Sequence, residues 1–223
     1  MSENALPNEI PLFPLPNVVL FPGALLPLHI FEARYRAMTA EALAGSRVIG
    51  MVLLTDGSRA ATARAPIYTI GCAGHVAEAR ELTDGRYQVV LRGLRRFRIV
   101  SERLTAAGYR VAKCEALADP TLGDLPAASA EQLSRVREDL EAAALKIAHE
   151  QLPKEIALVR ERIEQLDTVS LVHALCFGLD CTPVEKQSLL ESPDPQQRAE
   201  LLLRLLEFRS AARRLPNASE SVN

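Results

Sequence analysis

The spacing of hydrophobic and polar positions changes about halfway along the chain. In the first half, short apolar runs alternate with Gly, Pro and Asp, which predicts β-strands joined by turns. In the second half, apolar residues such as Leu133, Leu140 and Ile147 recur at helical spacing, which predicts α-helices. We therefore expect an α+β protein, with a β-rich domain at residues 8–119 followed by an α-helical bundle at residues 128–214.

The opening segment, residues 10–35, combines many aliphatic side chains with five prolines. Each proline lacks a backbone N–H and fixes φ, so no helix can run through the segment. The residue before each proline is also directed toward extended geometry. We expect short extended pieces with a tight turn at Pro22-Gly23. The prolines lie at positions 11, 14, 16, 22 and 27.

Further segments of the first half have the composition of strands, namely residues 47–54, 67–81, 86–91, 94–104 and 109–117. The first of these is almost entirely apolar, as in a strand that is buried on both faces. Asp84-Gly85 lies between two of the runs and predicts a hairpin turn. One amphipathic helix is expected at about residues 32–44, with Tyr35 and Met38 packed inward. Gly45 would end it in the left-handed conformation.

Capping signals in the second half predict where helices begin. Thr182 precedes a proline and is followed three residues later by Glu185, which is the pattern of a capping box. Asp194 begins a similar pattern before the last helix. Ser129 with Gln132 predicts a capping box at the start of the first helix of the bundle.

The composition is that of an ordinary globular protein, with 48% hydrophobic residues and a formal net charge of −2. Residues 1–119 carry 14 basic and 11 acidic side chains, and residues 120–223 carry 12 and 17. This difference supports a two-part chain without indicating a ligand. The first nine residues contain no basic side chain, and no apolar run reaches the ~18 residues of a membrane span. We expect a soluble, cytoplasmic chain with no membrane partner, whose four cysteines stay reduced.

Motifs for nucleotide, metal or nucleophile chemistry are missing from the sequence. None of the four lysines follows a glycine, which excludes a P-loop. His149-Glu150 begins a zinc-protease pattern, but Pro153 stands where the second histidine is required. No G-x-S-x-G elbow is present. We therefore expect no catalytic residues, no cofactor and no metal, and interpret His29 and His173 as core or boundary residues.

Three segments carry a family resemblance, and they occur in the expected order. They are IPLFPLPNVVLFPGALLPLHIFEARYRAM at residues 10–38, VVLRGLRRFRI at residues 89–99 and TPVEKQSLLESPDPQQRAELLLRLLE at residues 182–207. Over roughly residues 8–210 the chain resembles the substrate-binding N-terminal domain of Lon proteases. The ATPase and peptidase parts of those enzymes have no counterpart here, so the resemblance is to a stand-alone substrate-binding domain without proteolytic activity.

The resemblance implies both a fold and a role. The implied fold is an N-terminal twisted β pseudo-barrel of PUA-like type followed by a C-terminal helical bundle, which agrees with the change of periodicity. The implied role is to hold exposed polypeptide segments. We therefore predict a non-catalytic polypeptide-binding protein whose partners are unfolded or extended segments, with a separate protease or ATPase as a further candidate partner.

Two groups of charged residues are candidate binding surfaces. Glu32, Arg34 and Arg36, at the start of the first helix, form a candidate polypeptide-binding rim beside the most specific motif. The alternative is a solvated helix face, which the usual exposure of charged residues favours. If the arginine-rich segment is a strand, Arg96 and Arg98 share an exposed face while Phe97 faces the core. The candidate basic patch consists of Arg92, Arg95, Arg96 and Arg98.

Other surfaces and functions remain open at this point. A groove for an extended peptide along the proline-rich opening is one interpretation, but simple core packing is the stronger one for most of these residues. Apolar residues left exposed near Pro14, Phe21 or Pro22 would favour the groove. RNA binding through the basic patch is the alternative function, although the small net charge and the lack of flanking aromatic residues argue against a nucleic-acid partner. A further alternative is an enzyme whose site is assembled only in three dimensions.

Overall fold

The computed structural model describes residues 6–55, 64–120 and 122–214 of the chain. The strands are β1 (Glu9–Leu15), β2 (Leu25–Ile30), β3 (Val48–Leu53), β4 (Ile70–Glu81), β5 (Tyr87–Leu104) and β6 (Arg110–Ala116). The helices are α1 (Ala33–Ala44), α2 (Ala127–Gln151), α3 (Ile156–Gln165), α4 (Thr168–Gly178), α5 (Pro183–Glu191) and α6 (Pro195–Arg214). Within these described ranges, no helix combines the length and the apolar character needed to cross a membrane.

The strands form one sheet that closes on itself. Their order is β2-β5-β4-β3-β1-β6, and β5 pairs with β6 as well. The strands β1, β3, β4, β5 and β6 therefore make a closed ring, while β2 lies outside it along the first half of β5. Only β1 and β3 run parallel to each other among the named pairs. Strands followed by helices confirm the predicted α+β class.

The interior of the ring is a continuous apolar core. Strand β3 is buried at every position, as its apolar run predicted. Ile10, Leu12 and Phe97 are fully buried and pack with residues from β3, β4 and β6. Helix α1 packs beside β1, where the rings of Phe13 and Tyr35 lie 4.5 Å apart.

Strand β5 runs without a break through the region that was predicted as two strands, residues 86–91 and 94–104. Its pairing with β4 shifts register twice, because Leu94 on β5 and Ala77 on β4 are extra residues. Such β-bulges bend a strand and increase its twist without ending it. The predicted division into two strands is therefore wrong, and the long bent strand is what allows β5 to contact β2, β4 and β6.

At Gly93 on β5, the backbone of the turn at Pro22-Gly23 approaches closely. The turn at Pro22-Gly23 has Gly23 at φ 79°, and its ends are joined by a 3.1 Å hydrogen bond from Ala24 N–H to the Phe21 carbonyl. Gly23 N–H donates to the Gly93 carbonyl and Gly93 N–H donates to the Ala24 carbonyl, both at 2.9 Å. A Cβ on residue 93 would lie 2.0 Å from the Phe21 carbonyl oxygen, so only glycine fits.

The helix termini confirm two predicted caps. Thr182 and Glu185 form the expected reciprocal capping box, with Thr182 N–H donating to the Glu185 carboxylate at 2.7 Å. Asp194 caps α6 by accepting from the N–H of Gln197 at 2.9 Å.

Two other predicted details of the helix termini are wrong. Helix α2 begins at Ala127 without a side-chain cap, so Ser129 lies inside the helix and caps nothing. Helix α1 ends at Ala44 with Gly45 as its C-cap, as predicted, but Gly45 has φ −117°, and the left-handed residue after α1 is Arg47, at φ 58°. Its guanidinium donates to the carbonyl of Val76 at 3.0 Å, a tertiary contact that helps hold this conformation.

The described residues divide into two compact units. Unit 1 takes those within 1–119 and 173–191, and unit 2 takes those within 120–172 and 192–223. Helix α5 belongs to unit 1 because the Gln187 side chain donates to the Ile70 carbonyl at 3.0 Å. The sequence grouped this helix with the second half, and the domain bounds 8–119 and 128–214 stay a prediction.

Unit 2 is helical. Within it, Arg137 on α2 donates to the Ile163 carbonyl and to the Thr168 hydroxyl, each at 3.2 Å, which ties α2 to α3 and to the start of α4. Gln132 on α2 donates to Glu200 on α6 at 2.7 Å. The apolar core of this unit includes the buried residues Leu133, Leu140, Ile163 and Leu202.

Candidate functional site

Two of the three predicted rim residues are paired with each other. Glu32 immediately precedes α1, and its Oε2 lies 2.8 Å from Nη2 of Arg34. The Arg34 guanidinium also lies over the ring of Tyr35, 4.6 Å from its centroid, in cation–π geometry. Tyr35 and Met38 are buried, as predicted. The charges of Glu32 and Arg34 are thus largely satisfied within the helix start.

Arg36, the third rim residue, is directed to the hairpin between β4 and β5. Its Nη1 donates to the carbonyls of Asp84 and Gly85 at 3.5 and 3.4 Å, near the long limit for hydrogen bonds. Its Nε is buried without a partner in the part of the chain that the structure describes. A rim formed by these residues stays a prediction.

The four arginines of the predicted basic patch differ in how far they are buried. Arg92 and Arg98 are exposed and Arg95 is half-buried, whereas Arg96 is only 1% exposed. The expectation that Arg96 and Arg98 share an exposed face is therefore wrong. Phe97 faces the core as expected. The structure does not bring the four guanidinium groups together on one surface.

Arg96 is enclosed by a network of acceptors. Its Nε lies 2.9 and 3.0 Å from the carboxylate oxygens of Asp119, which is the ion pair that makes burial of the guanidinium tolerable. Its Nη1 donates to the Leu190 carbonyl at 2.8 Å, and Nη2 to the Ala118 carbonyl at 3.1 Å. His173, buried as predicted, lies 4.0 Å from the same carboxylate. Arg96 thus fastens β5 to the segment after β6 and to α5.

One face of the sheet formed by β2, β5 and β4 is open to solvent. Directly opposite residues in an antiparallel pair lie on the same face. The registers of β2 with β5 and of β5 with β4 therefore group nine residues on one face. His75 and Val90 are half-buried and the others are exposed. We call this group the open face, and its members are Leu25, Pro27, His29, His75, Glu78, Arg80, Gln88, Val90 and Arg92.

Apolar side chains line the β2 side of the open face. Leu25 is 58% exposed, and Phe31, directly after β2, is 63% exposed. The ring of Phe31 stacks on that of His29, with centroids 6.4 Å apart. A groove of about 540 Å³ lies against the same three strands and is lined in part by Pro27 and Val90.

This surface was missed at the level of the sequence. The proline-rich opening packs inward at Pro14 and Phe21, as the favoured interpretation expected, and Pro22 is half-buried, so no apolar groove is exposed near these residues. His29 was expected in the core or at its boundary and is instead exposed. The exposed large apolar side chains in this part of the chain are those of Leu25 and Phe31.

The charges on the open face are available to a ligand. Arg80, Arg92 and Glu78 are exposed and form no ion pair with any other described residue. They surround the apolar positions, because Arg92 is opposite Leu25 and Glu78 is opposite Val90. The open face therefore offers an apolar strip flanked by two positive groups and one negative group.

The perturbed side chains elsewhere have local physical causes. Burial raises the pKa of the Cys114 thiol to about 12, which suppresses the thiolate. Burial and a hydrogen bond to the Glu41 carboxylate raise the pKa of Tyr109 to about 12. Burial lowers the pKa of Lys186, whose ammonium donates to the Phe177 carbonyl at 2.5 Å. Across residues 6–55, 64–120 and 122–214, no three or more His, Cys, Asp or Glu side chains are grouped to hold a metal ion.

Comparison with known proteins agrees with the resemblance noted in the sequence. Residues 9–207 match a family model described as the ATP-dependent protease La (LON) substrate-binding domain. The chain is 27% identical to Lon protease 2 of Myxococcus xanthus and 26% identical to the Lon protease of Anaeromyxobacter dehalogenans, each over 230 aligned residues. Both alignments include 99% of this chain but only 26% of the relative. The chain thus spans about a quarter of the length of these proteases.

Solved structures show the same fold. The Lon N-terminal domain protein from Xanthomonas campestris matches with a TM-score of 0.59 and 23% identity, over 88% of this chain and 97% of that one. The N-terminal domain of a Mycobacterium avium complex Lon protease matches with a TM-score of 0.69 and 16% identity, over 89% and 98% of the two chains. The family model covers most of the chain and the fold agrees with it. The chain therefore belongs to the Lon substrate-binding domain family.

Proposed function

We propose that this chain binds unfolded or extended polypeptide segments, without changing them chemically, through the open face and Phe31. The observation that carries the proposal is the pair of exposed apolar side chains, Leu25 and Phe31, beside a groove of about 540 Å³. Exposed apolar patches with polar borders are typical of interaction sites. Membership of a family described by substrate binding supports polypeptide as the ligand.

The apolar contribution predicts weak binding. Full burial of a Leu or Phe side chain contributes about 1.5–3 kcal/mol, so covering the exposed part of Leu25 and Phe31 contributes about 1–2 kcal/mol each. Association and ordering of a flexible peptide cost at least about 4 kcal/mol. Favourable contacts elsewhere on the open face must supply the rest, and we expect dissociation constants in the micromolar to millimolar range. Such affinity suits a surface that samples many different segments.

The partner that would receive a bound segment is also part of the proposal. The matched relatives are Lon proteases, and the family description names an ATP-dependent protease. We propose that a protease or ATPase activity acts on the segments that this chain holds, while the chain itself only binds them.

The test measures anisotropy of a labelled, reduced and alkylated unfolded protein titrated with the chain at low and high salt. The variant Leu25→Ser/Phe31→Ser should bind at least tenfold more weakly, because it removes both exposed apolar side chains. Val100→Ser is the matched control, since Val100 is 66% exposed on β5 outside the open face. Equal affinity of the double variant and the wild type would refute the proposed surface.

A labelled RNA oligomer, titrated in parallel, tests the alternative function. Burial of Arg96 leaves fewer guanidinium groups on the predicted basic patch, so we expect no saturable binding of RNA. Binding of RNA alone, with affinity that collapses as salt rises, would replace polypeptide binding by phosphate recognition. The variant Arg92→Ala/Arg98→Ala would then locate the contact.

A further inference from the structure

Strand β2 has one free edge among the described residues. Within these residues, β2 pairs with β5 on one side and with no strand on the other. Gly93 N–H donates to the Ala24 carbonyl, so the backbone of Ala24 faces β5. Backbone groups alternate in direction along an antiparallel strand, which turns those of Leu25, Pro27 and His29 to the free edge. This edge adjoins the open face, and an extended segment bound there could in principle be added as a strand.

Pro27 interrupts the row of donors at the centre of that edge. An added strand would pair with the outward backbone groups of Leu25, Pro27 and His29, and Pro27 has no N–H. One carbonyl of the incoming segment would lose its partner, at a cost of about 1–3 kcal/mol. Proline with its nitrogen toward solvent is one way in which sheet edges resist pairing.

The side chains beside this edge offer the alternative contact. Leu25 and Pro27 are two residues apart on one strand, about 6.6–6.8 Å, and Val90 lies one strand spacing, about 4.8 Å, from Pro27. Together with Phe31, they present apolar surface that needs no particular chain direction from its ligand. The flanking charges of Arg80, Arg92 and Glu78 likewise act on side chains.

We infer that the open face recognises segments by their side chains alone, in either chain direction, and does not add them to β2 as a strand. The inference rests on the proposed function. It defines the ligand class as segments rich in large apolar side chains, including proline-containing segments that cannot pair as strands. A site that adds strands would disfavour the proline-containing segments, because a proline whose backbone faces β2 has no N–H to donate.

The experiment uses a labelled 12-residue peptide rich in Leu and Phe and two versions of it, N-methylated at all odd or at all even positions. A paired strand uses the donors of alternate residues, so N-methylation of one set would abolish strand addition and N-methylation of the other would spare it. Side-chain recognition predicts that both versions bind within fivefold of the parent. A loss of more than fivefold in either version would overturn the inference.

The variant Pro27→Val provides a second readout, with its thermal unfolding as the control for folding. Valine restores the missing N–H and keeps an apolar side chain on the open face. Because Pro27 is the obstacle to strand addition, we expect the two N-methylated versions, which bind the wild type alike, to differ by more than fivefold in their affinity for Pro27→Val. Equal binding of both versions to Pro27→Val would refute the role assigned to Pro27. Failure of the parent peptide to bind the wild type would refute the proposed function, an outcome distinct from the selective loss of one methylated version.

Discussion

Replacement of Arg96 by methionine tests the conclusion that this arginine is structural. The change keeps much of the aliphatic volume and removes the guanidinium, which is 1% exposed. Three acceptors then lose the hydrogen bonds that Arg96 donates to them, namely the Asp119 carboxylate and the carbonyls of Leu190 and Ala118. Asp119, whose side chain is 13% exposed, would be left as a nearly buried charge without its cation.

The size of the effect follows from that burial. Removing one partner of a buried ion pair costs about 3–5 kcal/mol, because the remaining charge stays desolvated. For a chain of this size, 1 kcal/mol corresponds to about 2–4 °C in the midpoint of thermal unfolding. We therefore expect Arg96→Met to lower the midpoint by about 6–20 °C. Arg96→Lys keeps the charge but cannot reproduce the planar set of donors, so an intermediate loss is expected.

Circular dichroism during heating and urea unfolding provide the measurement. The matched control is Arg98→Met on the same strand, since the Arg98 side chain is exposed and forms no ion pair or hydrogen bond with another described residue. Its effect should stay within about 0.5 kcal/mol. If Arg96→Met were no more destabilising than Arg98→Met, the buried network would carry no net stability and the assignment of Arg96 to structure would be refuted.

Two further predictions concern other parts of the fold. Gly93→Ala should destabilise the chain by about 1–3 kcal/mol in urea unfolding, because the Cβ of the alanine would overlap the Phe21 carbonyl. Gly178→Ala is the control and should not destabilise the chain, because no atom lies within 4 Å of the new Cβ. Partial burial alone would raise the pKa of Asp167, but the hydrogen bonds that it accepts from Ser170 and from the Val169 N–H together outweigh burial and lower the pKa. The stabilisation from this carboxylate is therefore present above the unfolded pKa of about 3.9 and lost as the pH falls through the folded pKa. Asp167→Asn should thus reduce stability at pH 6, and the loss should diminish as the pH falls below the unfolded pKa of about 3.9. A loss that does not change with pH would contradict this account.

Features set by neighbouring residues could be predicted from the sequence. The capping box of Thr182 and Glu185 needs only residues three positions apart. The turn at Asp84-Gly85 likewise depends on local backbone preferences, with Gly85 at φ 76°. The proline-rich opening had to be extended, because proline excludes a helix interior whatever the tertiary context.

Features set by distant contacts could not be predicted in this way. Arg96 resembles its exposed neighbour Arg98 in every local respect, and only the approach of Asp119 and Leu190 distinguishes it. The apolar surface was missed for a related reason. Both alternating sets of residues in β2 are largely apolar, so the period of two does not indicate which set is buried. Packing buries Leu26, whereas the alternating set that consists of Leu25, Pro27 and His29 stays exposed.

The arrangement of β2 bears on a problem of exposed apolar binding surfaces, which is that they also favour self-association. A surface that stays available to unfolded segments also attracts other copies of the chain, and a free sheet edge beside it would allow stable strand pairing. Pro27 removes a donor from the middle of that edge, while Arg80, Arg92 and Glu78 place unpaired charges around the apolar strip. Both devices disfavour permanent association, yet neither prevents weak side-chain contacts. The same proline that limits aggregation would therefore limit the mode of recognition, which is why Pro27→Val should increase self-association even though it leaves the apolar strip intact.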